Sequence, residues 1–271
     1  MKIVIFQGGL GNQIFQYLFI QYVRKYVSRI VLGVVRDGNN HNGFELDKYF
    51  EVNISMPNWI YRSFKMYERY KHRLPSAFQD IYITEPSDNG SFFQFVYDGY
   101  WQNKKYLNRG LISFKNFQLS EKNQIIRNEM LNTNSVAIHV RRGDYLMPPH
   151  CHLFANICTA EYYKSAISIC YKKMENCHFF VFSDDMDWAK HNLSLENAQY
   201  IDWNTGNDSI YDMYLMSFAK INIIANSTFS FWGAYLNEQG NIVIYPKRWF
   251  NENCGVPVPD IFPDEWIGLN S

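Results

Sequence analysis

Neither sign of charge prevails in this chain of 271 residues: 26 Lys and Arg balance 26 Asp and Glu, for a formal net charge of zero. The sequence-independent attraction that holds proteins to nucleic acid or to an anionic membrane is therefore missing, and any bound anion must meet a local cationic site. Cysteine is scarce and odd in number. Cys151, Cys158, Cys170, Cys177 and Cys254 contain no Cys-x-x-Cys pair, which argues against a disulfide framework and against zinc. The run His150-Cys151-His152, with Cys158 beyond it, has no standard zinc spacing either. Long apolar runs are also absent, the best of them, residues 30–35, falling far short of the roughly 18 that a membrane span needs. Met1 to Phe6 leads straight into Gln7 and glycines, without the apolar stretch and cleavage site of a signal peptide. The chain is thus expected to be cytoplasmic, with at most a peripheral association with the inner membrane.

Apolar and aromatic material is abundant. Hydrophobic residues make up 47% of the chain, which excludes disorder and supplies a core. Aromatics reach 18%, with 20 Tyr, 21 Phe and 7 Trp; such rings can face sugars, but large aromatics more commonly fill interiors. Short β-branched or aromatic runs alternate with helical stretches, the pattern of an α/β fold with largely parallel strands. Strands are predicted at 2–6, 29–35, 135–140, 178–182, 221–225 and 241–245. Phe15, Leu18, Tyr22, Val23 and Tyr26 recur at helical spacing and predict a helix over 12–27. Further helices are predicted after Asp208 and near Ser230. Residues 36–95 show little periodicity and read as irregular helices and loops. The clearest boundary lies at 120–134.

Four predicted strands run into polar or glycine-rich sequence. These are Gly8-Gly9-Leu10-Gly11-Asn12-Gln13, Arg141-Arg142-Gly143-Asp144-Tyr145, Ser183-Asp184-Asp185 and Asn226-Ser227-Thr228-Phe229-Ser230. Ligands of parallel α/β sheets bind at the carboxyl ends of the strands, so four such ends point to an active site. The glycine run is neither a dinucleotide fingerprint, whose third glycine would fall at Ile14, nor a Walker loop. Its glycines would still let backbone approach a ligand, or simply make a turn. Paired guanidiniums at Arg141 and Arg142 suit a pyrophosphate, although Asp144 stands close enough to neutralise one. Asp185-x-Asp187 matches a divalent-ion carboxylate pair, against which stands ordinary helix capping. Ser227 and Thr228 offer hydroxyls to a phosphate or a cap to a helix. No G-x-S-x-G elbow supports a hydrolase.

Taken in order, residues 8–17, the His139-Val140-Arg141-Arg142-Gly143-Asp144-Tyr145 element, residues 182–185 and residues 226–234 resemble glycosyltransferase family 11. The segment Asp98-Gly99-Tyr100-Trp101-Gln102-Asn103-Lys104-Lys105-Tyr106 is similar to the family as well. The resemblance spans residues 1 to about 237, and the H-x-R-R-x-D-Y element is its most specific part. It implies a GT-B-type fold of two Rossmann-like halves facing across a cleft. Residues 1–130 would form the acceptor-side half and 131–271 the GDP-fucose half, the last segment being free to pack back on the first half.

The activity implied is inverting transfer of L-fucose from GDP-β-L-fucose to the 2-hydroxyl of a terminal β-galactose, with GDP-fucose as co-substrate and no metal or other cofactor. Absence of a membrane anchor fits a bacterial enzyme of surface polysaccharide (O-antigen or capsule) synthesis. By the resemblance, Arg141 and Arg142 compensate the pyrophosphate, supplemented at the β-phosphate by Ser227 and Thr228, with Asn226 and Phe229 also among the GDP-fucose-binding residues. His139 and Asp212 meet the guanine, and Asp184 and Asp185 lie beside the nucleotide. Gly9, Gly11, Asn12 and Gln13 face the fucosyl end, and Tyr100, Trp101 and Gln102 the acceptor. Arg141, Asn12 and Asp144 are the catalytic candidates, Asp144 as the base. The alternatives are a fucosyltransferase of another linkage, a metal-dependent nucleotide-sugar transferase using Asp185 and Asp187, and a carbohydrate-binding module.

Overall fold

A computed structural model describes residues 1–26, 30–36, 43–87 and 94–271. The chain divides into two units, Met1–Lys115 and Asn116–Ser271, each built on its own parallel sheet. In the first unit β1 (Lys2–Phe6) is buried at all five positions and feeds α1 (Leu10–Tyr26). Eleven of the helix's 17 residues are buried, Gln13 and Gln16 among them, because strands and loops cover it on several sides. Then come β2 (Val31–Val35), the single turn α2 (Leu46–Tyr49), α3 (Asn58–Tyr70), β3 (Tyr82–Thr84) and β4 (Val96–Asp98). The sheet order is β2-β1-β4-β3. Ile3, Ile5, Leu32, Val34 and Val96 pack one sheet face against Ile60 and Phe64 of α3.

The second unit starts with α4 (Glu121–Asn132), capped by the Ser120 hydroxyl on the Asn123 N–H, and continues into β5 (Asn134–Val140). After β5 follow the single turn α5 (Cys151–Phe154), α6 (Ala160–Lys173), β6 (Cys177–Ser183), α7 (Met186–Asn192) and β7 (Ala198–Ile201). The remainder is α8 (Ile210–Met216), β8 (Ile221–Ile223), α9 (Thr228–Tyr235), β9 (Ile242–Pro246) and β10 (Ile267–Leu269). The order β10-β9-β8-β5-β6-β7 is the doubly wound one. From β5 the chain winds outward through β6 and β7, then crosses back to β8 and winds the other way. The loops after β5 and β8 diverge, and the crevice between them is where a doubly wound sheet takes its ligand.

All six predicted strands exist, with ends shifted by a few residues; residues 27 and 29, at the ends of the first predicted helix and second predicted strand, lie outside the described residues. Residues 36–95 carry more order than their composition suggests, namely α3 and β3. Helix α4 belongs with the second unit, so the division falls at Lys115 and Asn116, ahead of the 130/131 read from the sequence. The last segment continues the second unit. Its strand β10 pairs with β9 and extends the second sheet. Many aromatics are interior, Trp101, Trp232, Phe179, Phe180 and Phe182 being fully buried.

Candidate active site

The crevice of the second unit is lined by the H-x-R-R-x-D-Y element. Residues 134–140 form the central strand, so the chain must turn at Arg141, and both arginines emerge at the carboxyl edge. Arg141 is held by two carboxylates, through Nη2 to Asp144 Oδ1 at 2.7 Å and through Nη1 to Asp184 Oδ2 at 3.1 Å. Arg142 Nε donates to Asp185 Oδ2 at 3.0 Å, and its main-chain N–H to Asp184 Oδ1 at 2.8 Å. The Arg142 guanidinium also lies 4.3 Å over the Trp188 ring. Two guanidiniums thus face three carboxylates, a formal charge of −1, where the sequence suggested that Asp144 alone could neutralise one of them. The carboxylates aim the arginines. Among the described residues the terminal nitrogens of Arg142 meet no acceptor, which leaves a planar fork for a ligand.

Across the crevice, Tyr145 ties the two loops together by donating its hydroxyl to the Asn226 carbonyl at 3.2 Å, and burial lifts its phenol to about 12. Ser227 occupies the N-cap position of α9, yet its side chain makes no capping hydrogen bond, so capping does not account for its hydroxyl. Thr228 and Phe229 are half-buried beside it, and the Phe229 ring lies 5.7 Å from that of His139. His139 is buried with Nδ1 unpartnered. Burial, with the Arg141 charge nearby, pushes its imidazole down to about 3, so the ring is neutral near pH 7. Asp212, on α8, accepts from Asn204 Nδ2 at 2.8 Å. Asn204 is locked to Asn123 by reciprocal bonds of 2.9 and 3.1 Å. Enclosure raises the Asp212 carboxyl to about 8 in spite of the Asn204 bond.

The rival readings meet specific obstacles. Asp185 gives one oxygen to Arg142 and the other to the Trp188 N–H, capping α7, so both are already engaged. Among the described residues no group of three or more His, Cys, Asp or Glu side chains is placed to hold a metal ion. Cys158 is buried in the core, where its thiol meets Asn226 Oδ1 at 3.5 Å.

In the first unit, Gly8 takes φ +78° and a Cβ there would stand 2.6 Å from Asn12 Nδ2 and 3.2 Å from Tyr100 Cε1. The turn therefore requires glycine. Gly9 is half-exposed and Gly11 buried in the first turn of α1. Asn12 Oδ1 accepts from Gln102 Nε2 at 2.9 Å, joining two expected site residues.

Three expected residues are otherwise employed. Gln13 is 0% exposed and spends its amide on Gly8 O, Gly43 O, Glu45 N and Leu46 N, so it braces the turn and cannot face a ligand. Trp101 is 1% exposed, stacked on Phe19 at 3.9 Å, a core ring in place of an acceptor-facing one. The Asn226 side chain, expected at GDP-fucose, reaches Trp249 O at 3.2 Å and Cys158, a structural use. Conversely, the sequence reading missed Trp188, Asn204 and Asn123, which position Arg142 and Asp212, and in the first unit Gln7, Arg36, Glu85 and Asp98. Each of the last four stands at the end of a strand, a signal available only once those strands are known.

Residues 45–270 match the family model described as Glycosyl transferase family 11. Among curated relatives, an alpha-1,2-colitosyltransferase of Escherichia coli is 33% identical over 99% of both chains. An O-antigen biosynthesis glycosyltransferase, WbnK, of Escherichia coli is 39% identical over 51% of this chain and 45% of the relative. A galactoside alpha-(1,2)-fucosyltransferase 1 of Leontopithecus chrysomelas is 27% identical over 50% and 38%. Among solved structures, the fucosyltransferase NodZ from Bradyrhizobium superposes with a TM-score of 0.50 at 13% identity, over 87% of this chain and 92% of that one, a likeness of fold, GT-B in type. With the doubly wound second unit, the H-x-R-R-x-D-Y element at its crevice and a relative matched end to end, the chain belongs to glycosyltransferase family 11.

Proposed function

We propose that this glycosyltransferase moves L-fucose from GDP-β-L-fucose to the 2-hydroxyl of a terminal β-galactose, with inversion, in bacterial surface polysaccharide synthesis. The observation that carries the reading is the crevice between β5 and β8, with an unsatisfied arginine fork on one wall, a Ser227 hydroxyl that meets Tyr145 and does not cap its helix on the other, and a neutral imidazole with an unpartnered Nδ1 behind them. A guanosine diphosphate fits that chemistry. His139 and Asp212 would read the base. Arg142, Ser227 and Thr228 would take the β-phosphate, with Arg141 held in register by Asp144 and Asp184. On this reading Asp144 orients an arginine through the 2.7 Å ion pair.

Inversion requires one displacement on the face opposite the departing GDP. The sugar becomes oxocarbenium-like as negative charge grows on the β-phosphate, and donors fixed before the reaction stabilise that charge more than they stabilise the ground state. Two arginines would do here what a divalent ion does in other nucleotide-sugar transferases, so no metal is required.

A second donor is favoured by one finding. The relative matched along 99% of its length is an alpha-1,2-colitosyltransferase, colitose being the 3-deoxy counterpart of fucose, and the donor-side residues described above would meet nucleotide and phosphate chemistry common to both. The test is product linkage and GDP release with GDP-fucose and with GDP-colitose, on β-galactosyl disaccharides, with and without EDTA. An α-1,2-fucosyl product unaffected by chelator is expected. Colitosyl product alone would change the donor, loss of activity with EDTA would restore the metal-dependent reading, and failure to bind GDP would end the proposal.

A further inference from the structure

The even balance of charge over the whole chain hides a local excess. Between Asn58 and Leu74, α3 and the turn that follows it carry five Lys or Arg (Arg62, Lys65, Arg69, Lys71 and Arg73) against one carboxylate, Glu68. Because the chain as a whole is neutral, the remainder carries the opposite excess. Glu68 is spent on the side of the helix that faces β3, on Lys71 Nζ at 3.4 Å and on the Tyr82 hydroxyl. Among the described residues Arg62, Arg69 and Arg73 make no ion pair, and all three are exposed. Screening confines their attraction to about 8 Å at physiological salt, so the excess acts on a surface that this helix touches.

The apolar residues of the same segment fall into two sets. Ile60 and Phe64 are buried against the sheet and fix the helix to it. The other set points outward: Trp59 is 59% exposed and Met66 63%, with Tyr70 and Leu74 exposed beyond them. At helical spacing Trp59, Met66 and Tyr70 line up, and Arg62 and Arg69 run alongside. Arg69 and Arg73 each lie 5.5 Å over the Tyr70 ring, so cation and ring share one level. A contiguous apolar stripe left in water adds nothing to the core and marks a contact surface.

The mixture selects the partner. A phosphate polymer would satisfy the arginines but offer nothing to Met66 and Leu74, and a second copy of the same face would set arginine against arginine. An anionic bilayer meets both needs, with headgroup phosphates for the guanidiniums and, just beneath, the boundary layer in which Trp and Tyr rings settle. No described helix is long and apolar enough to cross a membrane, so such a contact lies in the plane of the surface. We propose that the outward face of α3 docks the first unit on an anionic lipid bilayer, Trp59, Met66 and Tyr70 entering the headgroup boundary and Arg62, Arg69 and Arg73 meeting lipid phosphates. No donor-side residue takes part, so the inference stands apart from the fucosyltransferase reading.

The test is sedimentation of the full chain, without nucleotide, with vesicles of phosphatidylethanolamine and phosphatidylglycerol and with vesicles of phosphatidylcholine alone. Partition to the anionic vesicles is expected to exceed that to the neutral ones by about tenfold or more and to weaken as salt rises. Arg62→Glu combined with Arg69→Glu lowers it about tenfold or more at unchanged thermal midpoint, and Trp59→Ser lowers it several-fold. The same change of charge at Lys172 and Lys173, exposed at the end of α6 in the second unit, leaves it as it was. No binding to anionic vesicles, equal partition to neutral ones, equal loss in both charge-reversed variants, tighter binding to an RNA oligonucleotide than to vesicles, or a solution dimer that Trp59→Ser dissolves in place of vesicle binding would overturn the proposal. GDP binding, measured separately, bears on the donor reading alone.

Discussion

At the scale of single residues, the second unit's chemistry turns on how its charges are shared. Arg141 is held by two carboxylates, whereas Arg142 spends one nitrogen on Asp185 and stacks on Trp188. Replacing Arg142 with Lys keeps the charge and loses the fork. The expected outcome is a fall in kcat of about 10²- to 10³-fold, comparable to removal of one preorganised donor, with Tm little changed. A second residue prediction concerns protons. Enclosure raises the Asp212 carboxyl to about 8, so between roughly pH 4, where an unfolded Asp titrates, and pH 8 the folded chain holds a proton that the unfolded chain releases. Stability from this group is complete at low pH and is lost as pH rises through that window. Melting curves from pH 5 to 8.5 should show a decline that Asp212→Asn lacks; equal slopes would mean that Asp212 is ionised in the folded chain.

Among the elements, the glycine turn into α1 makes the sharpest demand on sequence. Gly8→Ala would place a Cβ 2.6 Å from Asn12 Nδ2 in a left-handed conformation. About 1–2 kcal/mol of destabilisation is expected from the backbone alone, readable as a lower midpoint in urea unfolding. The strands that announce themselves in the sequence are those with enough apolar length to stand out, such as β5 and β6, buried over most of their seven residues. Strands of three residues, β3, β4 and β10, carry too little pattern, and β7 alternates only weakly. That is also why the arginine pair and the hydroxyls after β8 were legible, while Arg36 and Asp98 were not: the former follow obvious strands, and the latter form their 2.7 Å ion pair only through sheet pairing. Gln13 and Trp101 stand in recognisable motifs, but a motif names a position without saying which way its side chain turns.

For the molecule as a whole, two units with separate cores imply two cooperative blocks. Calorimetry should resolve two transitions, and saturating GDP should raise one of them, by RT ln(1 + [L]/Kd), while leaving the other in place. A single transition shifted throughout by GDP would mean that the blocks melt together. The cation–π contact between Arg142 and Trp188 offers an optical way to follow the same event. An indole lying against a guanidinium emits according to that neighbour's position and hydration, so nucleotide seated on the fork should shift the fluorescence of Trp188, and Trp188→Phe should abolish the change. With that indole in the second unit, the chain carries its own lamp for the crevice between β5 and β8.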